Sequence, residues 1–455
     1  MKSRKIGRKP GQPPRILLAD DSRLVFSDDY RMGWKWGFES IGCTVQVVDI
    51  GELRRSLTRR GVPSILSVGR DYFAKPMAEN VASWQPDLVF AHHGRAASNE
   101  GFINRLCERN VKTATYLCDE PYETGETAGY SPAFDYVFTM DPCTTEVHRL
   151  SRASRKGVFY LPPGVHTDHF KPRPYFDGEG GLARELQALF IGNGSLPPRP
   201  EFFGPVDRLV TGACFHYLRK AVMKGRKDWI PYSAHPKWYA NCVVGLNVHR
   251  SPWMTEECYL KRIVNRHKGY PVPKGLTIPA GVPARWGTGF WNEGNLPAAH
   301  VNPRFLEMAA CGTLVVSDNH RSELARMFPG VPQASDPEHY LELVFHYLRH
   351  PDEAEAIGRK CSDLISRRHS YKHRAAEVLT RVGLQGLLPA AQYSSLGEPA
   401  DWLTPQDLKP PEINSSLAPT GPSERWSPAF GMSWTRACMT PSDMQSTDAP
   451  TPWLL

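Results

Sequence analysis

Short apolar runs punctuate the first 165 residues, separated by intervals long enough for helices. Residues 15–20 (RILLAD) read as a buried strand and 44–49 (TVQVVD) as a second. Between them, Tyr30 to Ile41 places Trp34, Phe38 and Ile41 at helical spacing. The runs 87–92 (DLVFAH), 111–117 (VKTATYL), 135–140 (DYVFTM) and 158–161 (VFYL) are each brief, apolar and β-rich. Strands alternating with helix-length intervals predict a parallel sheet with crossover helices. Arg54, Arg55, Arg59 and Arg60, around Leu53 and Leu57, read as a solvated helix face.

The proline-rich stretch 162–174 (PPGVHTDHFKPRP) has no periodicity and reads as a connector. The alternation restarts at 188–192 (ALFIG) and continues through 242–248 (CVVGLNV) and 313–317 (TLVVS). A helix starting at Pro337 carries Tyr340, Leu341, Val344, Tyr347 and Leu348 on one face; a second follows Pro351 and a third spans 371–382. Residues 251–300, with many Gly and Pro and with Trp286 and Trp291, read as an insertion over a cleft. Residues 396–455 are rich in Pro, Ser and Thr and lack the periodicity that builds a core. The expected organisation is a basic flexible start (1–14), a first α/β unit (15–165), a connector (166–187), a second α/β unit (188–383) and a disordered tail (384–455). The expected fold is two doubly wound, Rossmann-like units facing across a cleft.

Composition narrows the function classes. Of 455 residues, 41% are hydrophobic and 22% charged, an ordinary globular balance that excludes wholesale disorder. The net charge of +8 suits anionic ligands such as nucleotides without demanding nucleic acid. No apolar run approaches the ~18 residues of a membrane span. The basic start leads only into Ile16-Leu17-Leu18-Ala19, too short for a signal-peptide core, so a cytoplasmic protein is expected. The ten cysteines include no C-x-x-C pair and read as reduced thiols. Adjacent His92 and His93 at a strand end should point to opposite faces, which makes a poor chelate and a structural role the better reading. Arg149, Arg152, Arg155 and Lys156 read as a solvated basic face.

The most informative segment is 301–318, VNPRFLEMAACGTLVVSD. Asn302 is a good N-cap, Pro303 fits the first helical position, and Gly312 suits the stop. Arg304 and Glu307 share one face near the helix's positive end. Exposed amides there form an anion site, and Arg304 adds a forked donor for phosphate. Glu307 can accept two hydroxyl hydrogen bonds, as a ribose diol offers. The same pair equally fits an exposed ion pair on an ordinary capped helix.

FLEMAACGTLVVSD resembles the E-x-A-A-C-G-T-x-x-x-(S/T)-D block of CgeB-like, spore-maturation-type glycosyltransferases, relatives of the group 1 enzymes with the GT-B fold. Other blocks resemble that family in the same order: YLCDEPY (116–122), FDYVFTMD (134–141), LPPGVHTDHFKP (161–172), ALFIGNGS (188–195), YANCVVGLNVHR (239–250) and HSYKHRA (369–375). At His166 the family usually carries Asp. The resemblance implies a nucleotide-diphosphate sugar held mainly by the second unit and an acceptor held mainly by the first. It implies that Glu307 binds the ribose, with Arg250, Arg304 and the Gly192-Asn193-Gly194 loop near the diphosphate. Asn302, Gly312 and Thr313 complete the expected donor set. Related retaining enzymes carry a second Glu eight residues before the one matching Glu307; here that position is Ala299.

The leaving nucleoside diphosphate develops charge that positive side chains and helix amides can stabilise without a metal, so no metal or cofactor is expected. An acceptor hydroxyl needs a base. Asp119 and Glu120 stand at one strand end, and Asp20 and Asp21 at another, where open α/β sheets place ligands. Each of the four also fits a local helix or turn cap. His249 reads as cleft-wall packing, and the two tryptophans as sugar-stacking rings or loop anchors. The acceptor is left open among glycan, lipid-linked sugar, protein, small metabolite and modified nucleic acid; the basic residues 1–14 keep a polyanion among them. The rival reading is a sugar-nucleotide-binding or surface protein of the same fold without transfer activity.

Overall fold

The computed structural model describes residues 12–20, 27–49, 81, 83–93, 106, 111–150, 156–172, 186–192, 194, 198–209, 214–217, 230–252, 292, 296–388 and 396. Two parallel sheets organise them. The first is built from β1 (Arg15–Asp20), β2 (Thr44–Asp49), β3 (Leu88–His92), β4 (Lys112–Leu117), β5 (Tyr136–Thr139) and β6 (Gly157–Tyr160), in the order β2-β1-β3-β4-β5-β6. The second is built from β7 (Leu186–Gly192), β8 (Cys214–Tyr217), β9 (Cys242–Asn247), β10 (Leu314–Asp318) and β11 (Gln333–Ala334), in the order β11-β10-β9-β7-β8. All their pairings are parallel. The expected two-unit α/β architecture is the one observed, and β8 and β11 add strands that periodicity did not mark.

Strand order reverses between β1 and β3 in the first sheet and between β7 and β9 in the second. Open α/β sheets bind ligands at the carboxyl ends beside such a reversal. The residues placed there are Asp20 and His92 in one unit, and Gly192 and the segment after Asn247 in the other.

The first core is packed by α1 (Ser27–Ser40), whose Trp34 and Phe38 are fully buried. Against it lies the last helix, α10 (Tyr371–Arg381), which carries Tyr371, Ala375, Ala376, Val378 and Leu379 into the same core. Gly33 and Gly37, one helical turn apart, permit the approach. A Cβ at Gly37 would lie 2.5 Å from the Tyr371 carbonyl oxygen, and one at Gly33 would enter the Tyr371 ring. This corrects two expectations. The second unit does not run to 383, because α10 returns to the first. The tail does not begin at 384, because Leu384, Leu388 and Leu396 are buried in the first core. The rest of the tail, most of the 251–300 insertion with Trp286 and Trp291, and residues 1–11 lie outside the described residues.

The chain crosses between units twice, and the crossings run side by side. Val165 N–H donates to the His369 carbonyl (3.0 Å) and Tyr371 N–H to the Val165 carbonyl (3.0 Å). Buried Arg374 ties the pair, donating from Nε to the Pro163 carbonyl (3.3 Å) and from Nη1 to the Arg368 carbonyl (3.3 Å). The second unit's core is closed by α4 (Arg199–Leu209), α5 (His235–Ala240), α6 (Pro303–Ala310), α7 (Ser322–Met327), α8 (Pro337–Arg349) and α9 (Pro351–Arg368). In the first, α2 (Thr124–Tyr130) and α3 (Thr145–Leu150) complete the described helices. No helix among the described residues is long and apolar enough to cross a membrane.

Candidate functional site

At the ligand edge of the second sheet three arginines converge. Arg304 begins α6, where the Asn302 side chain accepts from the Arg304 N–H (3.0 Å) and caps the helix as expected. Its guanidinium lies 4.9 Å from the Phe190 ring, and a Cβ at Gly192 would sit 2.5 Å from Nη2. Only glycine leaves that room, which gives the position its reason. Nη1 of Arg304 is buried and has no hydrogen-bond partner. Arg199 approaches the other side of Phe190 at 5.5 Å and is held by donation from Nε to the Val248 carbonyl (2.7 Å). Burial, then the nearby Arg304 and Arg250 charges, depress its guanidinium to about 9. Like charges this close repel one another, and the donor left unsatisfied among them is Arg304 Nη1. Arg250 sits 3.3 Å above the Tyr122 ring of the first unit, with Nη2 3.9 Å from Asp119 Oδ1.

Glu307 lies one turn along α6 on the Arg304 side. Burial pushes its carboxyl up, while Arg304 and a hydrogen bond from Tyr239 pull it back. Gly194 is buried nearby in sequence, and Asn193 lies outside the described residues. Gly312 and Thr313 leave the expected donor set. Gly312 ends α6 with φ +77°, and a Cβ at Gly358 would run into its carbonyl oxygen. Thr313 Oγ1 donates to the Tyr239 carbonyl (2.6 Å). Both precede β10 at its amino end, roughly 12 Å of helix away from Arg304. They shape the helix–strand corner.

His249 supports the site from beneath. Its Nδ1 pairs with Asp318 Oδ1 (2.7 Å), which also accepts from the His249 N–H (2.9 Å). Its Nε2 accepts from the Asn302 N–H (3.3 Å), fixing the start of α6. Burial holds this imidazole neutral, at about 4, despite Asp318.

The first unit's edge has the opposite character. Asp20 is buried against Arg31 (3.5 Å) and faces His92 Nδ1 at 3.9 Å; the His92 Nε2 meets Cys118 Sγ at 3.2 Å. Glu120 is fully buried: Oε2 accepts from Thr124 Oγ1 (2.5 Å), and Oε1 takes Thr127 Oγ1 and His148 Nε2 (3.2 Å). These contacts remove Asp20 and Glu120 as bases for an acceptor, since neither carboxylate is open. Asp119 is the accessible one, with 28% of its side chain exposed. As expected, His92 and His93 engage different partners; β3 ends at His92, and His93 takes a left-handed φ of +62°. That turn aims His93 Nε2 at Glu123 Oε2 (2.6 Å). His93, Asp119 and Glu123 offer donor atoms within 4.8 Å of one another, close enough for a cation. Of the basic run, Arg149 pairs with Glu146 on the surface and Lys156 with buried Asp135, while Arg152 and Arg155 lie outside the described residues.

Polar contacts join the two edges. Tyr122 Oη donates to the Arg250 carbonyl (3.0 Å), and Arg321 Nη2 donates to that carbonyl (2.6 Å) and to Tyr122 Oη (2.8 Å). Tyr160 Oη donates to Glu323 Oε2 (2.7 Å). Asp141 reaches across to residues 299 and 300. Arg199 and Arg321 carry no motif, and Asp141 closes the FDYVFTMD block without having been given a role there.

Residues 290–380 match the model of a family described as glycosyl transferase-like. No curated protein sequence matches the chain. Solved structures similar to it include a sucrose-phosphate synthase from Thermosynechococcus elongatus, at 12% identity and TM-score 0.46 over 81% of this chain and 98% of that one. HepE from Anabaena, solved with UDP, is similar at 11% identity and TM-score 0.45 over 81% of this chain and 99% of that one. The catalytic domain of starch synthase IV from Arabidopsis thaliana, bound to ADP and acarbose, is similar at 10% identity and TM-score 0.46 over 82% and 99%.

Proposed function

We propose that the protein is a glycosyltransferase of the CgeB-like kind, moving a hexosyl group from a nucleoside-diphosphate sugar to an acceptor held against the first unit. The observation that carries this reading is the cluster of Arg199, Arg250 and Arg304 beside Gly192, with Arg304 Nη1 buried and unpartnered. A diphosphate supplies the missing negative charge and the missing acceptor atoms. Glu307 lies one turn away, where the ribose of the same nucleotide falls. The family match over 290–380 covers this helix and supports the reading. The arginines provide the charge stabilisation that a metal supplies elsewhere, so donor binding is metal-independent. The acceptor class stays open, nucleic acid included.

Calorimetric titration of UDP, GDP and dTDP tests the site. One of the three should bind with an affinity that falls with salt. Absence of binding by all three would end the sugar-nucleotide reading.

A further inference from the structure

Five imidazoles that are less than a tenth exposed face carboxylates among the described residues: His92, His93, His148, His249 and His300. In four of them the second ring nitrogen is also engaged. His92 Nε2 meets Cys118 Sγ, and His93 Nδ1 faces the Tyr130 hydroxyl at 3.5 Å. His148 Nδ1 meets Ser131 Oγ at 3.3 Å, and His249 Nε2 takes the Asn302 N–H. His300 differs. Its Nδ1 lies 2.8 Å from Asp141 Oδ2, and its Nε2 has no hydrogen-bond partner among the described residues. The side chain keeps 7% of its surface exposed.

The pair is built across the two units. Asp141 follows β5 in the first unit and is fully buried. Its Oδ1 accepts from the Cys143 N–H (2.8 Å). Its Oδ2 accepts from the Ala299 N–H (2.8 Å) and the His300 N–H (3.2 Å) of the second unit. The two backbone donors already fasten the loop. The ring contact adds something that fastening does not need: it places the proton on Nδ1 and leaves Nε2 with an open lone pair. His300 stands two residues before Asn302, at the start of α6. Its ring meets Tyr122 edge-on at 6.1 Å, and Tyr122 carries Arg250 on its face. The ring therefore stands beside the Tyr122–Arg250 contact that joins the two units.

We infer that His300, oriented by Asp141, is the base that deprotonates the acceptor hydroxyl. This inference rests on the transferase reading above. Nε2 takes the hydroxyl proton as the acceptor oxygen bonds to the sugar's anomeric carbon. The bond from that carbon to the diphosphate oxygen breaks, and its electron pair leaves with the nucleoside diphosphate. Asp141 steadies the imidazolium that forms, the orienting role a buried carboxylate plays beside a catalytic imidazole. The loop that carries Ala299 in place of a Glu thus contributes an imidazole from the next position. Asp20 and Glu120 are sealed and Asp119 pairs with Arg250, whereas His300 Nε2 has no hydrogen-bond partner among the described residues.

The test uses the full chain and water as acceptor, following nucleoside diphosphate release from UDP-glucose, UDP-N-acetylglucosamine, GDP-mannose and dTDP-glucose. For the donor that turns over, His300→Gln should lower kcat about a hundredfold or more, the range of a lost general base. Nucleotide affinity by calorimetry should stay within about twofold. Imidazole in the buffer should restore part of the rate to His300→Ala and add nothing to wild type. Asp141→Asn should lower kcat and be insensitive to imidazole. A His300→Gln enzyme that binds nucleotide and turns over within threefold of wild type overturns the base assignment alone. Wild-type binding without turnover of any donor overturns it too and leaves the donor site standing. Failure of wild type to bind any nucleotide removes both readings.

Discussion

The two ligand edges face each other and are made of opposite materials. The second unit presents Arg199, Arg250 and Arg304, with Arg199 desolvated and one guanidinium nitrogen of Arg304 left unpaired. The first presents Asp20, His92, His93, Asp119 and Glu123: His93 bonds Glu123, while Asp20 Oδ1 and His92 Nδ1 face each other at 3.9 Å without a hydrogen bond. An incomplete edge invites a ligand, because the anion supplies what folding left out. An edge lined with carboxylates repels the same anion. The proposed diphosphate site in the second unit follows this contrast.

The largest expected effect comes from the support beneath the cationic edge. His249 is held at about 4 by burial, below its ordinary value near 6.5. The unfolded chain therefore takes up this proton first, so the associated stability is present above about pH 6.5 and is lost as pH falls toward 4. The shift corresponds to roughly 3 kcal/mol. Urea melts of wild type at pH 7 and 4.5 should show the loss, and His249→Asn should show a shallower pH slope. Equal slopes would mean that other groups set the acid limit.

Next in size, Arg304→Ala removes a charge-assisted donor from the anion site, at a cost of about 1.5–3 kcal/mol of nucleotide binding, roughly ten- to a hundredfold in affinity. Unchanged affinity would break the comparison at its centre. Glu307→Gln keeps the shape and weakens acceptance from ribose hydroxyls. Affinity should fall several-fold, by about 1 kcal/mol, with the melting temperature nearly unmoved; a large thermal shift would make Glu307 structural. Smaller still, Asp119→Asn on the opposite edge should leave nucleotide affinity unchanged or up to about twofold tighter, since a partly exposed pair contributes little. A tenfold loss would merge the two edges into one binding set. Finally, EDTA should leave nucleotide affinity unaltered. Loss on chelation, restored by manganese, would move attention to the His93, Asp119 and Glu123 trio.

What the sequence disclosed was whatever depends on neighbours along the chain. Trp34, Phe38 and Ile41 announced α1 by spacing, and all three are buried. Asn302 and Gly312 announced the ends of α6, and they cap and stop it. Local pattern misled where a cap and a catalytic group share the same residue type. Glu120 reads as a base at a strand end, yet it bonds to Thr124 and Thr127 on the next turns. What depends on distant partners was not legible. Asp141 and His300 are 159 residues apart, and neither neighbourhood hints at the other. Arg199 acquires its meaning from Phe190 and Arg304, not from its flanking residues. The four-residue spacing of Gly33 and Gly37 was a signal for close helix approach, but nothing local names Tyr371 as the partner. An apolar face on 371–382 marks a helix without saying which core receives it.

The return of α10 to the first sheet has a consequence for how the chain comes into being. In topological terms the second unit is an insertion into the first, whose core draws on Ile16 and Leu396 alike. A ribosome delivers the amino-terminal strands long before the helix that covers Trp34 exists. Until then the groove at Gly33 and Gly37 stands open, and domain-by-domain folding during synthesis cannot complete the first unit first. The second unit, contiguous in the chain, can close its own core beforehand and hand back the segment that finishes the other. Synthesis from the amino terminus thus yields a protein whose amino-terminal half is the last to be sealed.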